Sequence, residues 1–339
     1  MKVSILGPSG SYTEKAADEL FSSHEDGALP EYVYRPSIEG VVLDLFSDSE
    51  PSALALIPVE NSTEGAVGIS MDLLLEKDVS VLAEIILPVN HCLFVSKETA
   101  SRLDFSLGGI GAVYSHPQGL YQCRTFIRDK LKNARLVETD STSKAALIVF
   151  ESSENGRPEM IAGIASPEAG EKYGLHLVSS SIQDNLNNST RFFILSRLDS
   201  SLLLSDSGLP RPDFIQPATE MTAKEASVPV LSPGRLERVK DGAVYAKTSI
   251  IITPQNDRPG ALFHILEAFY RQGLNLTRIE SRPSKRALGE YHFYIDFEGE
   301  ETDQKVKDAL RQITEQSSRL KILGTYGRIS AASGESKGK

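Results

Sequence analysis

Cysteine is scarce: the 339 residues hold two, Cys92 and Cys123. At most one disulfide could form, so a disulfide-stapled scaffold is excluded and cytosolic thiols are the expectation. No apolar run is long enough to cross a bilayer as a helix, and no membrane partner is expected. Positive charge is also short, with 36 Lys and Arg against 46 Asp and Glu and a formal net charge of -10. That balance excludes a broad basic face and hence a general nucleic-acid binder. An anionic substrate would need a locally positive or amide-rich cleft. The chain lacks HExxH, CxxC, GxGxxG, a Walker Gly-Lys-Ser/Thr ending and any Ser-His-Asp order. Metal, redox and dinucleotide chemistry therefore have nothing to rest on, and no cofactor is expected. Met1–Gly7 reads as a strand entering a turn rather than a signal peptide, which goes with an expected cytoplasmic location.

What is present is ordinary globular composition, 40% hydrophobic and 24% charged, at a length that suits about two domains. Residues 1–198 alternate strand and helix patterns. Val3–Leu6 is a short apolar strand, and Ser11 and Glu14 have capping-box spacing before a helix over Tyr12–Phe21. Ala53–Pro58 reads as a buried strand, and Val79–Phe94 as strand-rich. Ile110–Tyr114 is a further strand before a helix over Gln118–Lys130, and Leu136–Glu138 looks extended. Ser143–Phe150 fits a helix or a strand. Ile161–Ala165 and Arg191–Leu195 complete the strands of this body.

Residues 199–245 carry Pro210, Pro212, Pro217, Pro229 and Pro233 among polar residues and read as a linker, with one short element near Leu236–Val239. From 246 to 328 the order is strand, helix, strand, strand, helix, strand, with Asp257 as a cap, Pro259 in the first helical turn and Gly273 as the stop. This βαββαβ order predicts a ferredoxin-like domain. Residues 329–339 read as a tail.

Several polar clusters sit where strands give way to turns. Gly7-Pro8-Ser9-Gly10-Ser11-Tyr12-Thr13 could offer helix-start amides to an anion, or be a tight turn with a cap. Glu60-Asn61-Ser62 follows a buried strand, a good place for ligand groups, and equally fits a loop with Asn and Ser turn chemistry. Ser115-His116-Pro117-Gln118 precedes a helix that carries Gln122 and Cys123. Ser115 could cap it, Gln118 could donate an amide hydrogen bond, and His116 could be a general acid or a plain turn histidine. Thr190-Arg191-Phe192 opens the last strand of the body, offering a neutral hydroxyl and a guanidinium fork.

Taken together and in this order, these motifs resemble those of bacterial and archaeal prephenate dehydratases with a C-terminal ACT regulatory domain. The matching pieces are Gly7-Pro8-x-Gly10, Pro58-Val59-Glu60-Asn61-Ser62, Ser115-His116-Pro117-Gln118 with Gln122-Cys123, Ser141–Ala146, and Thr190-Arg191-Phe192. Pro259-Gly260-Ala261-Leu262 and Glu280-Ser281-Arg282-Pro283 follow in the C-terminal part. The resemblance implies an α/β fold: two lobes like those of periplasmic binding proteins, roughly 1–79 with 178–198 and 80–177, then the ACT domain. It implies decarboxylation and dehydration of prephenate to phenylpyruvate, without metal or organic cofactor. In that reading Thr190 assists the leaving hydroxide and Arg191 partners a carboxylate. Phe192, Asn61, Ser62, Ser115 and Gln118 complete the catalytic set, and Gly10, Ser11, Thr13, Glu60 and His116 bind substrate. Gly260, Ala261, Leu262, Asn275, Glu280, Ser281, Arg282 and Pro283 would hold the effector L-phenylalanine in a homodimer or homotetramer. The hydroxyls of Ser11-Tyr12-Thr13 are exchanged relative to the family's usual Thr-(Phe/Tyr)-Ser, and the linker is longer than usual. Arogenate dehydratase and a non-catalytic amino-acid sensor are the alternatives.

Overall fold

The computed structural model describes residues 1–21, 30–102, 107–154, 160–198, 246–255, 258–285 and 289–330. The expected linker over 199–245, the Asp257 cap and residues 331–339 lie outside these. Strands and helices are numbered in chain order.

The first lobe opens with β1 (Lys2–Leu6), α1 (Tyr12–Phe21), β2 (Glu31–Arg35), α2 (Ile38–Leu43), β3 (Leu54–Asn61), β4 (Gly65–Ala66), α3 (Gly68–Glu76) and β5 (Val79–Pro88). The chain then crosses to a second lobe. Its strands are β6 (Cys92–Val95), β7 (Ala112–Ser115), β8 (Arg135–Glu138), β9 (Ile161–Ala165) and β10 (His176–Ser179), and it carries the helices α4 (Lys97–Arg102), α5 (Pro117–Gln122), α6 (Arg124–Lys130), α7 (Thr142–Glu154) and α8 (Pro167–Lys172). It returns as β11 (Ser189–Arg197). The C-terminal part is β12 (Ala246–Pro254), α9 (Ala261–Arg271), β13 (Leu276–Pro283), β14 (Tyr291–Glu298), α10 (Gln304–Gln316) and β15 (Ser317–Ser330), the βαββαβ order read from the sequence.

The second lobe is a sheet in the order β10-β6-β9-β7-β8. Its centre, β9, is Ile-Ala-Gly-Ile-Ala and buried at every position, as a strand covered on both faces must be. The first lobe and the C-terminal domain share one sheet, in the order β13-β14-β12-β15-β5-β11-β3-β1-β2. The junction is a parallel pairing of Gly327–Ser330 with Ala83–Ile86. Gly324 makes that approach, at φ 138°, where an added Cβ would lie 2.7 Å from the Val81 carbonyl oxygen. The last strand therefore runs two residues past the expected boundary at 328.

The faces of this sheet bury different partners. Val3, Ile5, Leu56, Phe192 and Ile194 pack on α1. Ala55, Ile57, Val59, Phe193 and Leu195 pack on the opposite side, with Ile251, Tyr294, Leu323 and Tyr326 of the C-terminal domain. A bulge in the β3–β11 pairing, where Arg191 faces Glu60 and Phe192 faces Pro58, leaves Val59 as the extra residue. A bulge reverses the two-residue alternation beyond it. Asn61 would otherwise share the face of Ile57 and Val59; instead it turns to the α1 side.

Two expectations about the elements need correction, and one left open is decided. The lobes cross at 89–91 and 180–188, not near 80 and 178, because β5 pairs with β11 along its whole length. The expected helix over Gln118–Lys130 is two, broken at Cys123: the Asp184 backbone N–H takes the Gln122 carbonyl and its carboxylate accepts from Thr125 N–H. Residues 143–150, open between helix and strand, are helical within α7.

Candidate functional site

A cleft of about 240 Å³ lies between the lobes. Helix starts converge on it. Ser11, Tyr12 and Thr13 come from α1, Gln118 and Gly119 from α5, and Ser141, Thr142 and Ser143 from α7. Each start follows a strand end with a hydroxyl or imidazole cap. Ser11 Oγ accepts from Glu14 N–H at 3.2 Å and donates to the Leu6 carbonyl at 2.9 Å. The Glu14 carboxylate turns back to Gly10 N–H and Ser9 Oγ. Burial works to raise this carboxyl, but those two bonds and one from Tyr34 hold it below its ordinary value. Ser141 Oγ accepts from Lys144 N–H at 3.0 Å. His116 Nδ1, not the expected Ser115, caps α5 by accepting from Gln118 N–H at 3.3 Å.

Thr190 and Phe192 line the cleft from β11, and Asn61 lines it from β3. Asn61 Nδ2 donates to Thr190 Oγ1 at 3.0 Å. Asn61 Oδ1 accepts from the backbone N–H groups of Thr63 and Glu64 at 3.0 and 3.2 Å. Those amides fix which end of the Asn61 side chain faces Thr190. The Thr190 oxygen is therefore an acceptor, and its own proton meets no acceptor among the described residues.

Opposite them, His91 Nε2 lies 2.9 Å from Gln122 Oε1, which also accepts from Asn188 Nδ2 at 3.0 Å. An amide oxygen only accepts, so the His91 proton sits on Nε2. Burial holds the imidazole below its usual value, so the ring is neutral. Its buried Nδ1 has no partner among the described residues. Burial also raises the thiol of Cys123, which is packed in the core of the second lobe and has none of the character of a nucleophile.

The cleft thus brings together Ser11, Thr13, Asn61, His116, Gln118, Thr190 and Phe192 of the expected set. Others fall outside its lining. Ser115 is fully buried, donates to the Ile164 carbonyl at 2.8 Å and lies under Gly119, where a Cβ would come within 2.5 Å of its oxygen. Ser62 braces the 188–189 turn by accepting from Ser189 N–H at 2.9 Å. Gly10 accepts from Ser143 Oγ through its carbonyl and so ties the lobes together.

Arg191 and Glu60 differ most from expectation. Both point away from the cleft, toward the C-terminal domain. Arg191 Nε lies 2.6 Å from Glu84, its Nη1 2.6 Å from Asp296, and its Nη2 donates to the Tyr326 hydroxyl at 2.9 Å. Glu60 meets Arg278 at 3.0 Å. Burial alone would raise the Glu84 carboxyl, but Arg191, Lys247 and Arg328 around it outweigh burial and lower it. Strand alternation is the reason: with Thr190 and Phe192 in the cleft, Arg191 must face the other side.

Some cleft residues were not legible as such. His91 lies on the crossing between lobes and Asp140 at the rim, and neither sits in a motif. Ser141–Ser143 stood in a quoted motif but had no assigned role; their helix-cap pattern was the available signal. In the C-terminal domain, Gly260 is at φ 90° at the start of α9, ahead of Ala261 and Leu262. Asn275 accepts from Glu298 N–H through its carbonyl. Glu280, Ser281, Arg282 and Pro283 end the edge strand β13, and Arg282 Nη2 reaches Asp72 of α3 at 3.3 Å. Among the described residues no helix is long and apolar enough to cross a membrane, and no cluster of His, Cys, Asp and Glu suits a metal ion.

Comparison with known proteins gives the same outline. A family model described as prephenate dehydratase matches residues 3–200, and one described as ACT domain matches 249–315. The prephenate dehydratase of Methanocaldococcus jannaschii is 33% identical over 320 residues, covering 94% of this chain and 95% of that protein. The bifunctional chorismate mutase/prephenate dehydratase of Aquifex aeolicus is 31% identical over 326 residues, covering 96% of this chain and 73% of its own. The solved structure of a prephenate dehydratase from Arthrobacter aurescens in complex with L-Phe superposes with a TM-score of 0.72 at 27% identity, over 97% of this chain and 90% of that one.

Proposed function

The chain belongs to the prephenate dehydratase family, and on that premise we propose that it converts prephenate to phenylpyruvate in the cleft beneath Thr190. The product serves L-phenylalanine biosynthesis, and L-phenylalanine restrains the enzyme through the C-terminal domain. The observation that carries the reading is the Thr190 hydroxyl, its oxygen taken by Asn61 and its proton left uncommitted.

The reaction breaks two bonds. The electron pair of the bond to the ring carboxylate enters the ring as that group leaves as carbon dioxide. The C4–oxygen bond breaks with its pair going to a departing hydroxide, which takes a proton from solvent to become water. Aromatisation makes the sum strongly downhill, so the enzyme must hold two carboxylates and support the departing oxygen. The described lining residues include neither lysine nor arginine. Anion holding falls instead to helix-start amides and neutral donors such as Gln118 and Thr13. An aliphatic hydroxyl is too weak an acid for efficient proton transfer at neutral pH. Thr190 acts as a hydrogen-bond donor to charge developing on the leaving oxygen, a role worth about 10²–10³ in rate for one donor.

In the C-terminal domain, Gly260 lets the backbone come close to a ligand at the start of α9, and Glu280–Pro283 lies on an open sheet edge. Exposed Phe263, Tyr270 and Ile279 nearby in sequence suit burial by a second copy, giving a homodimer or homotetramer. Incubation with prephenate, following phenylpyruvate with and without L-phenylalanine, tests both parts. No product would overturn the catalytic reading, and full activity at saturating L-phenylalanine the regulatory one.

One observation favours arogenate as substrate. Asp140 is an exposed carboxylate among the lining residues and would pair with the ammonium of arogenate. Asp140→Asn should then lower turnover of arogenate selectively. An unchanged ratio between the two substrates leaves prephenate.

A further inference from the structure

Each of the paired cleft residues has a neighbour in sequence that is anchored in the C-terminal domain. Thr190 precedes Arg191 on β11, and Asn61 follows Glu60 on β3. Within each pair the side chains leave the sheet on opposite faces. Arg191 reaches Asp296 of β14 at 2.6 Å, and Glu60 reaches Arg278 of β13 at 3.0 Å. Arg191 Nη1 and Glu60 Oε2 are themselves 3.5 Å apart. The two anchors therefore meet directly behind the Asn61–Thr190 hydrogen bond.

The Arg191 contacts are too well buried to be incidental surface pairs, and Glu60, 34% exposed, joins them at the edge of the network. The side chains of Arg191, Asp296 and Glu84 are 8%, 4% and 0% exposed. The strand carrying Glu60 needs the Val59 bulge to present Glu60 behind the sheet and Asn61 in front of it. A regular strand would exchange the two, leaving a carboxylate in the cleft.

Resting on the dehydratase reading above, we propose that Glu60 and Arg191, held by Arg278 and Asp296, are positioning residues that set the Asn61–Thr190 pair for turnover. They touch no substrate. They fix the β3 and β11 backbone at the residues from which the two cleft side chains project. Arg278 lies on the same strand as Glu280–Pro283, four residues before Arg282, so the anchors also join the C-terminal sheet to the reacting end of the cleft without using the 199–245 segment.

The test uses the full-length chain. In Asp296→Asn and in Arg278→Gln, kcat on prephenate should fall about tenfold with KM within about twofold, since remote misplacement can cost up to ~10²-fold in rate. In a Thr190→Ala background, adding Asp296→Asn should cost nothing more in kcat, because the residue acts through Thr190. Unchanged kcat in both single variants, or the same fold loss with and without Thr190, would overturn the inference. Of the two substituted residues Arg278 is the more exposed, at 11% against 4% for Asp296, and carries the test should Asp296→Asn not fold. The 15N resonance of the Asn61 side-chain amide, assigned by its loss in Asn61→Ala, reads the pair without turnover. A chain inactive on prephenate would defeat the dehydratase reading alone. A shift of that resonance in Asp296→Asn or Arg278→Gln would still support the anchors, and no shift in either would reject them.

Discussion

Asn61 and Thr190 stand directly opposite one another on β3 and β11, with Asn61 as donor at 3.0 Å. The direction of that bond decides what the hydroxyl can do. Asn61→Asp keeps the shape but removes the donor, so the Thr190 proton should turn to the new carboxylate and away from substrate. We expect Asn61→Asp to lower kcat by about 10²-fold, as loss of one preorganised donor does, and to raise KM through repulsion of a dianion. Thr190→Ala should lose kcat with KM kept. Steady-state kinetics of both variants check this, and near-normal kcat in Thr190→Ala would remove the hydroxyl from the mechanism.

Arg191→Met should be costly for stability. It strips the buried carboxylates of Glu84 and Asp296 of their shared partner. Breaking a buried pair from one side costs about 3–5 kcal/mol. Urea unfolding should show a lower midpoint with an unchanged slope. A midpoint equal to the parent's would mean that the network contributes nothing net.

Glu301 gives a pH signature. It is 8% exposed, and burial raises its carboxyl from 4.5 to about 7, with a bond from Thr325 opposing. The folded chain therefore holds this proton more tightly than the unfolded one. Its contribution favours folding below pH 4.5 and is lost as pH rises through 7. Glu301→Gln keeps the shape without the charge. It should flatten the stability profile over that window and stabilise the chain at pH 8 by on the order of 3 kcal/mol. Parallel profiles for parent and variant would assign the pH dependence elsewhere.

Gly324→Ala should strain the junction between the first lobe and the C-terminal domain. An added Cβ would sit 2.7 Å from the Val81 carbonyl oxygen, at a φ that side chains rarely adopt. A loss of roughly 1–3 kcal/mol is expected from the backbone conformation alone, read as a lower thermal midpoint. No change would mean that the junction relaxes freely.

Much of this architecture is legible in local pattern. The strands of the body show as short β-branched and apolar runs, and the βαββαβ order shows from period and from stops such as Gly273. The cleft residues with caps or turn chemistry, Ser11, Gln118 and Thr190, could be picked out because helix starts and strand exits carry local signals. The face a residue takes is less secure. One extra residue, Val59, reverses which of Glu60 and Asn61 enters the cleft, and nothing in Pro58-Val59-Glu60-Asn61 announces the bulge. The break at Cys123 is invisible for a similar reason, since it is made by Asp184, sixty-one residues on.

The sequence by itself determined the strands and helix starts that carry the site, the βαββαβ order and the family, because turn chemistry, caps and hydrophobic period act over a few residues. Tertiary structure decided where Arg191 points. It joined the C-terminal sheet to the first lobe through Gly327–Ser330 and set His91 beside Gln122. Those outcomes rest on contacts between residues far apart in the chain. A buried charge settles where its counter-charges are, and Asp296 lies 105 positions from Arg191.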